Sequence, residues 1–403
     1  MRRLSAAAVA LAVLASFFDN FAQFPVIPPF ARQLGATTAV IGVAVAAYSA
    51  ANLIGNIGGG YLVDRFGRKL LLVLGLVATA AAVLAHTLVS TPDQLIWVRG
   101  AHGLAAAVAA PAAFALIGDL YPRSSRGRAM GVSGALIAVA ALAGPAAGGI
   151  VGDRMGYPAV FSLVAGLLLV AALVSAALIS EPRRVSSRRS AASPGLLSLF
   201  TRRPLVLAFA AALTLSFGLG ILVTALPLRL EDFGYGASGS GSAFSAYALL
   251  ALVVMASPLS RYGDLRGRMW PVGWGLVICG AALAISQQVT GYGETIAAMA
   301  LFGVGFGLLF PGMSAQVADA TEPGERGTAY GVFYAFYSAG VVIGALLAGR
   351  VGSVDSVGFG PLLVGGVVML IVGSVFLLMA PSARQAADPE EGGIASHSES
   401  GLG

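Results

Sequence analysis

The ten residues Gly60-Tyr61-Leu62-Val63-Asp64-Arg65-Phe66-Gly67-Arg68-Lys69 decide the fold. They close one long apolar segment and precede another, with four charges and two glycines among them. Two hundred residues on, Asp264, Gly267 and Arg268 stand where Asp64, Gly67 and Arg68 stood. The same offset joins Pro111 to Pro311, Asp119 to Asp319, Arg126 to Arg326, Gly127 to Gly327, Ala129 to Ala329 and Gly131 to Gly331. Chance does not hold one register across so many marked positions. The chain is two copies of one unit.

Composition says where that unit resides. Hydrophobic residues make up 57% of the chain and charged residues 10%, against about 25% charged in a soluble domain. The apolar residues come in runs of roughly 20, the length that crosses a bilayer as a helix. Glycine, 54 of 403 residues, suits membrane helices that pack closely through small side chains. A polytopic all-α membrane protein follows, and parallel repeated halves are a signature of secondary transporters. The net charge of +6 is nearly all arginine, set in short loops rather than in a patch with aromatic residues. It therefore speaks of topology and not of nucleic acid. The single cysteine, Cys279, excludes an internal disulfide, and no metal-ligand spacing is present. Arg2 and Arg3 precede an apolar run that continues past Asp19 to Phe30, which reads as a retained first span rather than a signal peptide.

Cutting at charged or Pro/Gly-rich breaks gives twelve helices, near 4–30, 38–63, 70–89, 95–118, 127–152, 157–180, 204–229, 241–261, 271–290, 294–318, 327–351 and 357–380. The domains expected are a six-helix bundle over 1–180, a linker over 181–203, a second bundle over 204–380 and a disordered tail over 381–403. Orientation follows from the 24 Lys and Arg. With the N-terminus inside, only Arg32, Arg154, Arg229 and Arg350 face out, Arg99 lies within a span, and all the others fall on the inner side. The positive-inside rule then places both termini in the cytoplasm. The linker, rich in Ser, Pro and Arg, reads as a flexible hinge with a basic face toward anionic headgroups.

On these motifs the sequence resembles the major facilitator superfamily over nearly its whole length, and most of all its twelve-span drug/proton antiporter branch. The stretch Gly60–Lys69 is similar to the family's signature between spans two and three. Leu95, Arg99 and Gly103 with Ala105–Ala107 resemble the span-four motif of proton-coupled members, with His102 replacing a usual glutamine. Gly131 and the run Gly144-Pro145-Ala146-Ala147-Gly148-Gly149 resemble the span-five antiporter motif, with Ala140 where a glycine is usual. The resemblance implies that Asp64 meets span eleven and that Arg68 pairs with Asp119. The repeat would give Asp264 and Arg268 with Asp319 in the second half. These six would form a conformational latch; the plainer alternative is that they are topology signals alone, a task arginines could fill without acids. The resemblance also implies a monomer, and a span-five kink that seals against span eight and favours export.

Asp19 and Arg99 lie deep in apolar runs, where an ionised side chain costs ~2.5–3.5 kcal/mol on insertion scales. Desolvation disfavours a charged carboxylate there and a nearby arginine favours it; that opposition suits a reversible proton site. A static pair that only fixes packing is the competing reading. Asn20, Gln23, Asn52, Asn56, His102 and Gln316 are candidate substrate ligands, although each alone could equally bridge helices. His86, at the outer end of span three, is expected at the interface. Gly144-Pro145 breaks the helical hydrogen-bond ladder, and Gly148 and Gly149 admit a neighbouring helix. The rings of Tyr247, Trp274, Phe302, Phe306, Phe310, Phe333, Tyr334, Phe336 and Tyr337 offer cavity walls for hydrophobic ligands.

The expected function is proton-coupled export of a small, hydrophobic organic compound, with substrate, protons and the bilayer as partners and no cofactor. Uptake or exchange of a sugar or organic acid is the alternative, though a polar substrate would need more hydrogen-bonding groups in the second half. An intramembrane enzyme is disfavoured, because no metal cluster, nucleophile–base pair or phosphate loop appears. The topology has a direct test. A cysteine placed by Ser187→Cys in a Cys279-free variant is expected to react only from the cytoplasmic side, and labelling by an impermeant reagent on intact cells would overturn the twelve-span arrangement.

Overall fold

A computed structural model gives the fold and describes residues 2–121, 123–180, 196–261, 267–322, 325–351 and 358–380. The described residues form thirteen α-helices, α1 (Arg2–Ala22), α2 (Ile27–Gln33), α3 (Thr38–Phe66), α4 (Arg68–Ala85), α5 (Pro92–Leu120), α6 (Arg123–Met155), α7 (Tyr157–Leu178), α8 (Arg203–Asp232), α9 (Gly236–Ala256), α10 (Met269–Gln288), α11 (Tyr292–Asp319), α12 (Arg326–Arg350) and α13 (Pro361–Met379). All but α2 are long and apolar enough to cross a membrane, which makes twelve spans in two bundles of six. Helices dominate because a bilayer offers backbone groups no water, so each span must satisfy its own hydrogen bonds.

Three places depart from the sequence expectation. The first span ends at Ala22 rather than near residue 30. Pro25 has no N–H to continue the ladder, and Pro28 and Pro29 occupy the first turn of the separate α2, where a missing N–H costs nothing. The linker's last residues are ordered, with a 3₁₀ turn at Leu196–Thr201 and a buried Leu199; residues 181–195 and the tail after 380 lie outside the described residues. Arg229, expected as an outer-loop charge, is buried in α8. Its guanidinium donates to the carbonyls of Gln287 and Val289 at 2.7 and 3.0 Å. A cation thereby caps the C-terminal end of α10, where the helix dipole is negative.

The repeat is visible in the packing. In the first half Gly103 of α5 lies against the Tyr48 carbonyl of α3, and in the second Gly303 of α11 lies against the Tyr247 carbonyl of α9. A β-carbon at either glycine would collide with that backbone, so the two helix pairs can approach this closely only without one. The same spacing sets Arg68 of α4 against Asp119 of α5, and Arg268 Nε at 3.0 Å from Asp319 at the end of α11.

Where the linker enters α8, Arg202 donates to both Glu325 oxygens at 2.6 and 2.9 Å and to the Ala320 carbonyl at 3.2 Å. The hydrogen bonds from Arg202 hold the Glu325 carboxyl below the usual carboxylate range. A depressed carboxylate contributes stability above its unfolded value and loses it as pH falls through its folded value. Glu325→Gln is therefore expected to lower the melting temperature in detergent at neutral pH and to leave it unchanged in strong acid. An equal loss at both pH values would contradict this assignment.

Candidate functional site

Near one end of the first bundle, three helices, α1, α3 and α5, converge around Asp19. The carboxylate is 1% exposed, so its lone pairs must be met by protein groups. Gln23, in the turn just after α1, donates from Nε2 to Asp19 Oδ1 at 2.6 Å. His102 of α5 places Nε2 at 2.9 Å from Asp19 Oδ2. Arg99, one turn before His102, donates from Nη1 to Gln23 Oε1 at 2.9 Å and from Nε to the Ala44 carbonyl of α3 at 3.4 Å.

Donor inventory fixes the order of this chain. A guanidinium only donates, so Gln23 must turn its oxygen to Arg99 and its amide hydrogens to Asp19. Sequence reasoning expected Asp19 and Arg99 to approach each other; Gln23 stands between them. Tyr48 of α3 stacks beneath the network, its ring 4.6 Å from the Arg99 guanidinium carbon and 4.9 Å from the His102 ring. Tyr48 lies four residues before Asn52 on one helix face, a spacing that could have flagged it.

His86 is the larger surprise. Expected at the interface, it is fully buried, because α7 covers the end of α4 and lays Phe161 flat against it at 4.8 Å. Its ring meets His102 edge-on at 5.6 Å.

The other candidates are dispersed. Asn52 donates to the Gly103 carbonyl at 3.2 Å and Asn56 to Asn52 at 2.8 Å, so Asn52 ties α3 to α5. Asn20 is half-buried beside Asp19 on α1. Gln316 is remote from them all. It lies near the opposite end of the second bundle, donates to the Pro204 carbonyl at 2.9 Å, and lines a cavity of about 580 Å³ with Arg203, Arg268 and Asp319. The Asp64 side chain and the whole of Asp264 lie outside the described residues. Among the rings, Tyr247 meets Phe302 and Phe306 edge-on at 5.4 Å, and Phe306 stacks on Phe310 at 5.3 Å. Trp274 and Tyr334 are exposed at the bundle surface.

Directly beside Asp19 the two bundles meet. Within the first bundle Gly144 and Gly148 of α6 lie against Ala22 of α1; across the seam Gly149 of α6 lies against the backbone of Ala237 and Ser238, and Gly241 of α9 against the Pro145 carbonyl. Asp153, at the end of α6, accepts from the N–H groups of Ala237 and Ser238 at 2.8 Å each. A carboxylate from one half thus caps the first turn of a helix in the other. On the far side Gly42 of α3 lies against Ala345 of α12, and Arg32 of α2 bonds Glu231 and Asp232 of α8 at 3.3 and 2.5 Å. This seal is at the end away from residue 2.

Two like six-helix halves, closed on each other over a buried ionisable network, define a membrane transporter built on a parallel repeat. The chain belongs to the major facilitator superfamily, whose family profile matches residues 9–256 and 209–400. It is 27% identical to "Inner membrane transport protein YajR" of Escherichia coli, over 91% of this chain and 80% of that one. It is 24% identical to "Quinolone resistance protein NorA" of Staphylococcus aureus, over 81% and 84%. "Multidrug resistance protein 1" of Bacillus subtilis is 25% identical over 82% and 85%. Among solved structures, an inward-facing bacterial homologue of the human lysosomal transporter Spinster shares the fold, with a TM-score of 0.74 at 16% identity and 96% coverage of both chains.

The seal predicts its own disruption. A branched side chain at Gly149 must displace the α9 backbone, an overpacking that costs roughly 1–3 kcal/mol. In a Cys279→Ala background, the disulfide between Asp153→Cys and Ser238→Cys is expected to form readily, and adding Gly149→Val is expected to cut its yield several-fold. An unchanged yield would show that these glycines do not set the closure.

Proposed function

We propose that this protein is a proton-driven exporter of small, hydrophobic organic compounds in which Asp19 carries the proton and Arg99, acting through Gln23, adjusts how tightly it is held. The observation that carries this reading is the fully buried Asp19 carboxylate, hydrogen-bonded to the fixed amide of Gln23 and to His102, an imidazole that can change which nitrogen carries its hydrogen. Intramembrane acids cost too much to persist as filler, and they cluster on proton and substrate routes. The printed names of two relatives, for quinolone and multidrug resistance, support a hydrophobic substrate, as do the rings of Tyr247, Phe306 and Phe310. The arginine distribution supports cytoplasmic termini and hence a seal on the outer side.

The coupling step follows from the spacing on α1. Ionised, Asp19 accepts from Gln23 and His102 and feels Arg99 through the amide. Protonated, it loses that attraction, and α1 is freer to move against α5. Ala22, one turn from Asp19, is the residue packed on Gly144 and Gly148. Neutralising Asp19 therefore loosens the packing of α1 on α6, the helix whose Gly149 and Asp153 meet α9. At the opposite end, Arg68 pairs with Asp119 and Arg268 with Asp319; in this reading these pairs act as a latch, to which the sequence pattern adds Asp64 and Asp264.

Asp19→Asn mimics the protonated state. In proteoliposomes loaded with ethidium as the probe, it is expected to reduce accumulation driven by a pH gradient to the level of protein-free liposomes while downhill exchange persists. Asp19→Glu is expected to keep partial coupling with a displaced pH profile, since the longer chain changes both desolvation and its hydrogen bonds. Full gradient-driven accumulation by Asp19→Asn would overturn the assignment.

A further inference from the structure

Near the sealed end of the first bundle two imidazole nitrogens, His86 Nε2 and His102 Nδ1, are buried with no hydrogen-bond partner among the described residues. Both rings are 0% exposed, and an unmatched polar atom at such a place costs about 1–3 kcal/mol. The hydrogen inventory says what each atom is. His86 Nδ1 lies 3.0 and 3.2 Å from the carbonyl oxygens of Ala82 and Val83. Carbonyls only accept, so Nδ1 carries the hydrogen and Nε2 of the neutral ring is a bare lone pair. His102 Nε2 faces the Asp19 carboxylate, so it carries the hydrogen there and leaves Nδ1 as the second lone pair. Two abutting rings thus present two unmatched acceptors and no donor. What would satisfy them is a hydrogen that neither ring supplies.

We propose that His86 and His102 form a proton-binding pair that carries protons between the sealed end of the bundle and Asp19. His86 is built for the outer position. It ends α4 at the sealed end, while His102 sits between it and the carboxylate. A proton arriving on His86 Nε2 makes that ring a cation. Passed to His102 Nδ1, directly or through one water, it lets His102 release its Nε2 hydrogen to Asp19 Oδ2. His86 is then neutral as before, His102 is neutral with its hydrogen on Nδ1, and Asp19 is an uncharged acid. One proton has entered and every charge is accounted for. The groups facing the pair are Asp19 from α1, Gln23 from the turn after it, Tyr48 from α3, Arg99 from α5 and Phe161 from α7. Of these Asp19 is the acidic group and lies against His102, which draws the extra proton toward it, whereas Arg99 opposes a second one.

The inference rests on the proposed proton coupling for its purpose, yet the pair can be read without transport. The chain has three histidines, so His397→Gln leaves only these two. In the full-length protein in detergent, ¹⁵N-histidine NMR is expected to show opposite tautomers at high pH, with hydrogen on Nδ1 of His86 and Nε2 of His102. On acidification the two rings are expected to respond together, because interacting sites titrate as a pair. Two variants remove the partner, His86→Phe, which keeps the stack on Phe161, and His86→Gln, which keeps a donor for the Ala82 carbonyl. Each is expected to move the His102 transition by about tenfold in proton affinity. Asp19→Asn is expected to move both rings. A His86 signal fixed over the whole range, with the His102 transition unmoved in both variants, would overturn the pair. A second arm measures ethidium accumulation in proteoliposomes under a pH gradient. If His86→Gln lowers it and shifts its pH profile while downhill exchange persists, the pair lies on the coupling route; an unchanged profile overturns the route. Linked titration in a protein whose unaltered form shows no gradient-driven accumulation would instead overturn the proposed export of ethidium while leaving the proton pair in place.

Discussion

A carboxylate that is 1% exposed among apolar helices is the constraint on which the first bundle depends. Asp19 cannot be left unmatched, so the turn after α1 must offer Gln23, and α5 must approach near enough to supply His102 and Arg99. That approach needs room, which Gly103 provides by letting α5 rest on the Tyr48 carbonyl of α3. Tyr48 is then close enough to stack against Arg99 and His102. One buried charge thereby fixes the relative positions of three helices, and the aromatic and glycine positions follow from it.

The second bundle repeats the frame without the charge. Gly303 on the Tyr247 carbonyl and Arg268 with Asp319 reproduce their counterparts in the first half. Yet where α5 carries Arg99 and His102, α11 carries Met299 and Phe302, both fully buried. The polar positions have become thioether and ring. The two halves thus share an architecture and divide the chemistry, one offering hydrogen-bonding groups and the other apolar surface.

Much of this was legible in the sequence, for physical reasons that also mark where legibility stops. Runs of apolar residues between charged breaks give the spans, because length and hydropathy are local properties. The first span was drawn too long because Ile27–Gln33 is apolar enough to continue it, and only the prolines show the break. Asp19 and Arg99 announced themselves as charges in apolar runs, and Gln23 lies one turn from Asp19. The order Arg99–Gln23–Asp19–His102 could not be read, since it depends on how α1 and α5 are turned toward each other. His86 reads from sequence as an interfacial residue, and the structure buries it. A histidine at the end of an apolar helix reads as interfacial until α7 is seen to cover it with Phe161.

Magnitudes then bear on how the sealed end could reopen. Arg32 and its partners Glu231 and Asp232 are about a third exposed, and such pairs contribute roughly 0–1 kcal/mol. Moving a two-state equilibrium from 1:99 to 99:1 nevertheless takes about 5.5 kcal/mol of differential interaction. The whole insertion cost of one intramembrane charge, ~2.5–3.5 kcal/mol, is only about half of that. In the proposed cycle the proton on Asp19 therefore cannot drive the transition alone. The remainder has to come from the ligand, through contacts that differ between the two states. A transporter tuned this way moves little unless proton and substrate both act on it, and that shortfall is what would keep the two flows coupled.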